Sequence, residues 1–181
     1  MDYYMTAQGW LRADERERLY QLAKDVPADG MMLNIGIEFG ASMVCLREGS
    51  RKALLIGLDI DVSVIQPETK KFLAQFDTVI DEINSQEFLG MIRSFDIIFV
   101  DGDHSYDGVK ADIALFAPMV KPGGVIAFHD CHAWSDPSVP ASDSWVEGVN
   151  RAVEEWYQSS LGTNWEELPG AGTMRIFRKG D

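Results

Sequence analysis

Five short apolar runs, each followed by a helix-like segment, constrain the fold more than any other feature of this chain. They are Met31–Ile35, Ala53–Leu58 (ending at Asp59), the weaker Thr78–Ile83, Phe95–Val100 and Gly124–Phe128. A strand exposed on one face alternates polar and apolar residues; a continuously apolar strand is covered on both faces. Helical spacing appears between the runs, near 41–49, 68–76, 85–93 and 105–118, and before them over 13–26, which Pro27 and Gly30 end. Strands covered on both faces and separated by helices imply a parallel sheet between two helical layers. The end of the chain differs. Ser144-Trp145-Val146-Glu147 fits a capping box that opens a helix to about Ser159. Two strand-like pieces follow, Trp165–Leu168 and Thr173–Arg178, joined by Pro169-Gly170-Ala171-Gly172. A connection that short joins antiparallel strands. The expected fold is α/β: a Rossmann-like three-layer αβα sandwich with a mostly parallel seven-stranded sheet and a C-terminal antiparallel hairpin.

At 181 residues the chain has the length of one domain. We divide it into an N-terminal helical segment (1–29), a core (30–130), a loop rich in Asp, Pro and Ser (131–143) and a last helix with its hairpin (144–181). A loop of that length at a strand end is expected to act as a lid or binding loop. The formal charge of −13 and the dispersed Lys and Arg residues argue against nucleic acid or an anionic membrane as partner. No apolar run reaches the ~20 residues of a membrane span, and the first residues do not resemble a signal peptide. Two cysteines, Cys45 and Cys131, support neither a disulfide scaffold nor a four-thiolate zinc site. The expectation is a cytoplasmic protein acting on a small molecule.

An open parallel sheet binds ligands beyond the carboxyl ends of its strands. Those ends carry Asn34-Ile35-Gly36, Asp59, Asn84-Ser85, Asp101-Gly102-Asp103-His104 and His129-Asp130-Cys131-His132. All three histidines of the chain are in this set. In the first turn, Gly36 permits a tight bend and Gly40 lets the next helix approach closely. Asp59 follows at about the ~20-residue distance where a carboxylate meets a ribose. Glu38 occupies the place of the middle glycine of a dinucleotide fingerprint, where it would repel a pyrophosphate. The turn therefore suits a nucleoside without phosphates better than a nicotinamide dinucleotide.

Together, Asn34-Ile35-Gly36…Gly40-Ala41-Ser42, Asp59, Asp101-Gly102-Asp103-His104-Ser105-Tyr106, Pro122-Gly123-Gly124 and His129-Asp130 resemble the class I S-adenosylmethionine-dependent methyltransferases, in particular methyltransferase domain 24. The resemblance covers roughly residues 9–178, and its specific part runs from Asp101 to Asp130. It implies that Gly36 and Gly40 frame the methionine part of S-adenosylmethionine (SAM) and that Asp59 holds the ribose. Asn84 and Ser85 would lie near the adenine, and Asp101 would face the sulfonium. Ser42, Ile60, Gly102 and His104 complete the implied cofactor set. Asn34 stands where the family has an acidic residue that helps hold the ammonium group, and Glu38 is a candidate to supply that charge.

The resemblance further implies a transferase that methylates a small-molecule hydroxyl, with Asp101, His129 and Asp130 as its working residues. Related O-methyltransferases bind Mg²⁺ at these positions. A site containing histidine suits Mn²⁺, Fe²⁺ or Zn²⁺ better. Without a metal, His129 or His132 is a candidate general base. A non-catalytic SAM-binding or scaffold protein is the alternative reading. A homodimer is one expected arrangement, since a second copy would cover the acceptor side.

Overall fold

The computed structural model describes residues 2–88, 94–132 and 144–181. Its centre is a seven-stranded sheet in the order β3-β2-β1-β4-β5-β7-β6. The strands are β1 (Met31–Ile35), β2 (Leu54–Asp59), β3 (Thr78–Glu82), β4 (Phe95–Val100), β5 (Val120–Phe128), β6 (Trp165–Ala171) and β7 (Met174–Lys179). The first five pair in parallel, and β7 pairs antiparallel with both β5 and β6. This is the α/β sandwich expected from the apolar runs.

Alternate residues of the central strands enter opposite cores. Met32, Leu55, Ile97 and Phe99 face α1 (Tyr3–Thr6), α2 (Ala13–Lys24), α3 (Ala41–Gly49) and α4 (Pro67–Leu73). Leu33, Ile56, Ile98 and Val100 face α5 (Tyr106–Phe116) and α6 (Ser144–Gln158). Both faces are buried, so both parities of the strand must be apolar. Outside these cores, Arg47 is fully buried. Its guanidinium donates to the carbonyls of Ser50, Ala53 and Asp77 and to Thr78 Oγ1, tying the end of α3 to the start of β3.

Several boundaries differ from the sequence expectation. α1 was not foreseen. Within 85–93 the described residues hold only a 3-10 turn at Ser85–Glu87, and 89–93 lie outside them. The expected lid loop also lies outside the described residues beyond His132. β5 begins earlier, at Val120, with a register shift opposite Phe95–Ile97 that accommodates Pro122 and Gly123. The hairpin is tighter than expected: β6 runs through Pro169 and Gly170 to Ala171, with a bulge between Leu168 and Ala171. Proline is tolerated there because β6 is the edge strand, where a missing N–H breaks no ladder. The turn falls instead at Gly172, whose φ of 55° is left-handed.

Candidate active site

Above the carboxyl ends of β1, β2 and β4 lies a cavity of about 1000 Å³. Crossing of the strand order between β1 and β4 opens this crevice, since their following segments leave in opposite directions. The β1 turn is shaped by two left-handed glycines, Gly36 (φ 79°) and Gly40 (φ 100°). A Cβ on Gly36 would overlap the carbonyl oxygen of Asp101, so glycine alone lets β1 and β4 close at this point. At Gly40, the N-cap of α3, a Cβ would come within 2.5 Å of Thr69 Cγ2.

Of the expected cofactor residues, Gly36, Glu38, Ser42, Asp59, Ile60, Asn84, Ser85, Asp101, Gly102 and His104 all line this one cavity. Gly40 does not; its contact is with α4. Asn34 does not either. It is fully buried, and its Nδ2 donates to the Gly36 carbonyl at 2.7 Å, holding the turn from beneath. Asp59 braces the same turn from the front: Oδ2 accepts the N–H groups of Ile37 (2.6 Å) and Glu38 (2.9 Å), and Oδ1 that of Asp61. Asn84 Oδ1 accepts the Gln86 N–H, and the Ser85 hydroxyl donates to Asp112 at 2.6 Å. Glu38 has a left-handed backbone (φ 48°) and accepts a hydrogen bond from Trp10 Nε1 at 2.8 Å. Burial raises its pKa, against the effect of that bond.

At the other end of the cavity Asp101, His104, His129 and Asp130 come together. His104 Nε2 lies 3.3 Å from Asp101 Oδ1 and 3.2 Å from Asp130 Oδ2. His129 Nδ1 lies 3.2 Å and 3.1 Å from the same two oxygens. Neither contact of Nδ1 has hydrogen-bond alignment. Asp130 has a left-handed backbone, φ 55°. Burial disfavours charge on His129, but the surrounding carboxylates, Asp101 foremost, outweigh it and raise its pKa. The adjacent carboxylates, Asp101 first and then Asp130, push His104 up to about 9. Burial opposes ionisation of Asp130, yet His104 and His129 hold its pKa below the usual carboxylate range. His132, the other candidate base, is exposed and does not line the cavity.

Three contributions were not foreseen. Gly9, Trp10 and Leu11, from the segment between α1 and α2, form part of the cavity wall. Ile83 and Gln86 add to the side near Asn84. Glu15 of α2 lies behind His129, 3.2 Å from its Nε2. Ile83 and Gln86 flank the expected Asn84-Ser85, whereas no local signal marks the N-terminal residues, because their neighbours in space are distant in sequence.

The described lining carries the carboxylates of Glu38, Asp59, Asp101, Asp103 and Asp130 and the imidazoles of His104 and His129, with no lysine or arginine among them. Such a cavity favours a cationic ligand and opposes a phosphate-bearing one. Its walls are apolar where Leu11, Ile35, Ile37, Leu58, Ile60 and Ile83 line it, which suits a flat base.

Comparison with known proteins bears on the family and the fold. The sequence model of a methyltransferase domain (Methyltransf_24) matches residues 33–131. An uncharacterized protein of Acanthamoeba polyphaga mimivirus is 27% identical over 131 residues, which is 65% of this chain and 59% of that protein. The match thus spans under two thirds of that curated relative. Among solved structures, an O-methyltransferase from Bacillus cereus in complex with SAH superposes with a TM-score of 0.70 at 16% identity, covering 99% of this chain and 87% of the other. The mycinamycin-pathway methyltransferase MycE, in complex with Mg, SAH and mycinamycin VI, also gives 0.70 at 16% identity, covering 99% of this chain and 54% of the other.

Proposed function

Because this chain belongs to the methyltransferase domain family, we propose that its cavity binds SAM and that it methylates a hydroxyl of a small molecule. The observation that carries this reading is the cavity's charge: carboxylates and imidazoles without a lysine or arginine among the described lining residues. SAM brings a sulfonium and an ammonium and no phosphate, so it matches this lining where a nicotinamide dinucleotide would not. SAH, in the complexes with the Bacillus enzyme and MycE, is what remains once the methyl has left.

In this reading the adenine lies between Ile60 and Ile83, near Asn84 and Ser85. Asp59 accepts one ribose hydroxyl on the Oδ1 lone pair that its three backbone bonds leave over. The methionine carboxylate faces the start of α3 at Ala41 and Ser42, where backbone N–H groups are unpaired. Glu38 offers the ammonium a carboxylate in place of the acid that Asn34 replaces. The sulfonium points to Asp101.

His104 also borders a smaller cleft with Tyr106, Glu147 and Arg151, and the acceptor enters there. Its oxygen attacks the methyl carbon in line. The C–O bond forms as the C–S bond breaks, the electron pair passes to sulfur, and the hydroxyl proton passes to the Asp101 carboxylate, since the raised pKa values of His104 and His129 leave those rings already protonated. The methyl is already activated, so alignment and proton removal are the protein's whole task.

We further propose that the site takes a divalent cation, as the MycE complex holds Mg. Donor atoms of Asp101, His104 and Asp130 lie within 4.8 Å of one another, and the nearby His129 Nδ1 has no aligned hydrogen bond. The residues fit such an ion, and their mixed nitrogen and oxygen donors favour Mn²⁺, Fe²⁺ or Zn²⁺ over Mg²⁺. When bound, it would acidify and orient the acceptor hydroxyl.

The test is a panel of hydroxyl-bearing acceptors incubated with SAM, with products analysed by mass. We expect a methylated product, and loss of turnover with retained SAM binding in His129→Ala. SAM binding without turnover on any acceptor would favour a non-catalytic role.

A further inference from the structure

Glu15 is fully buried, yet it stands on a helix whose other acidic first-turn residue, Asp14, reaches solvent. A carboxylate taken out of water must be matched by donors, or its burial destabilises the fold. Three N–H or O–H donors and one ring nitrogen face Glu15. Oε2 accepts the Arg12 N–H at 2.7 Å and faces His129 Nε2 at 3.2 Å. Oε1 accepts the Thr173 N–H at 2.8 Å and the Thr173 hydroxyl at 2.9 Å. A helix cap accounts for one of these bonds; the other three join α2 to the hairpin tip and to the end of β5, 158 and 114 residues away.

The surroundings are shaped to admit this carboxylate. A Cβ on Gly172 would overlap Glu15 Oε1, so the hairpin turns on a glycine at the point where Glu15 needs room. The Thr173 hydroxyl, with its proton given to Glu15, accepts the N–H of Asp130 at 3.2 Å. That bond helps hold Asp130 in its left-handed backbone, a strained conformation for a non-glycine residue. Glu15 therefore reaches both His129 and Asp130, one directly and one through Thr173.

A carboxylate can only accept. The geometry points to Glu15 as a positioning residue that keeps a proton on His129 Nε2 and so holds Nδ1 turned toward Asp101 and Asp130. The inference rests on the reading of the His129–Asp130 cluster as the acceptor side of a methyl-transfer site. An amide could not replace Glu15 without loss, because backbone N–H groups face both of its oxygens. One of them would then meet the amide NH₂.

The test is ¹⁵N NMR of histidine-labelled protein, as isolated and without ligand, for the wild type and Glu15→Gln, with SAM titrated calorimetrically into both. We expect His129 Nε2 to resonate as a protonated nitrogen bearing a slowly exchanging proton in the wild type. In Glu15→Gln that proton should exchange rapidly, while SAM affinity changes less than threefold. An unprotonated Nε2 in the wild type overturns the inference, and it does so even if the variant does not fold. So does a folded Glu15→Gln protein with an unchanged His129 signature, which would make Glu15 a structural cap. Failure of the wild type to bind SAM would instead remove the cofactor reading and leave the assignment of the His129 proton standing.

Discussion

Gly36→Ala should be among the most damaging single-atom additions to this protein, and its cost can be worked from the structure. Gly36 has φ 79°, where an L residue loses about 1–2 kcal/mol. Its new methyl would overlap the Asp101 carbonyl oxygen and stand 2.5 Å from the carbonyl carbon. That carbonyl cannot withdraw freely, because the Asp101 N–H is bonded to Ile35 O at 2.8 Å, fixing the end of β4 against β1. Overpacking against backbone adds about 1–3 kcal/mol. The sum is about 2–5 kcal/mol, or roughly 4–20 °C in Tm for a domain of this size. Gly102→Ala is the matched control. Its Cβ would lie 3.3 Å from Ile35 Cγ2, a side-chain methyl that can shift, at a cost under about 1 kcal/mol. Thermal and urea unfolding of both variants by circular dichroism is the assay. A Gly36→Ala protein within about 0.5 kcal/mol of the wild type, or less affected than Gly102→Ala, would refute this account of how β1 meets β4.

Further outcomes follow from other sites. Arg47→Met should lose at least about 3 kcal/mol, because several buried acceptors lose their donor at once, each costing about 1–3 kcal/mol; denaturant unfolding reads it directly. Cys45 and Cys131 are both buried and their thiols are pushed up to about 12 by burial, so neither should react appreciably with a thiol reagent at pH 8 unless the protein is unfolded. His104, with its pKa raised from 6.5 to about 9, contributes stability that is fully present below pH 6.5 and is lost as pH rises through 9. The difference in Tm between the wild type and His104→Gln should therefore shrink over that window, and a difference that grows instead would contradict the ion-pair assignment.

The sheet and one edge of the site were legible because they leave local marks. A strand buried on both faces writes an unbroken apolar run, and the polar residue that ends it must lie at the sheet's carboxyl edge. Asp59, Asp101, His104 and His129 could be grouped on that ground alone. The N-terminal wall could not. Trp10 and Glu15 owe their places to packing against residues far along the chain, and Glu15 in isolation reads as a first-turn acid favoured by the helix dipole. Asn34 shows the opposite limit. Its position in the motif suggested contact with the cofactor, but Asn34 still lies within β1 and is fully buried, and its amide serves the Gly36 carbonyl instead. The hairpin turn was misjudged because proline normally ends a strand, whereas an edge strand with a bulge carries it.

The central claim is that the acidic cavity holds SAM, and calorimetric titration of SAM into chelator-treated protein tests it most directly, with and without Mn²⁺ or Mg²⁺. The account predicts saturable binding at one site per chain, weakened at least tenfold in Asp59→Ala. No binding under any of these conditions, or an affinity unchanged by Asp59→Ala, would contradict it.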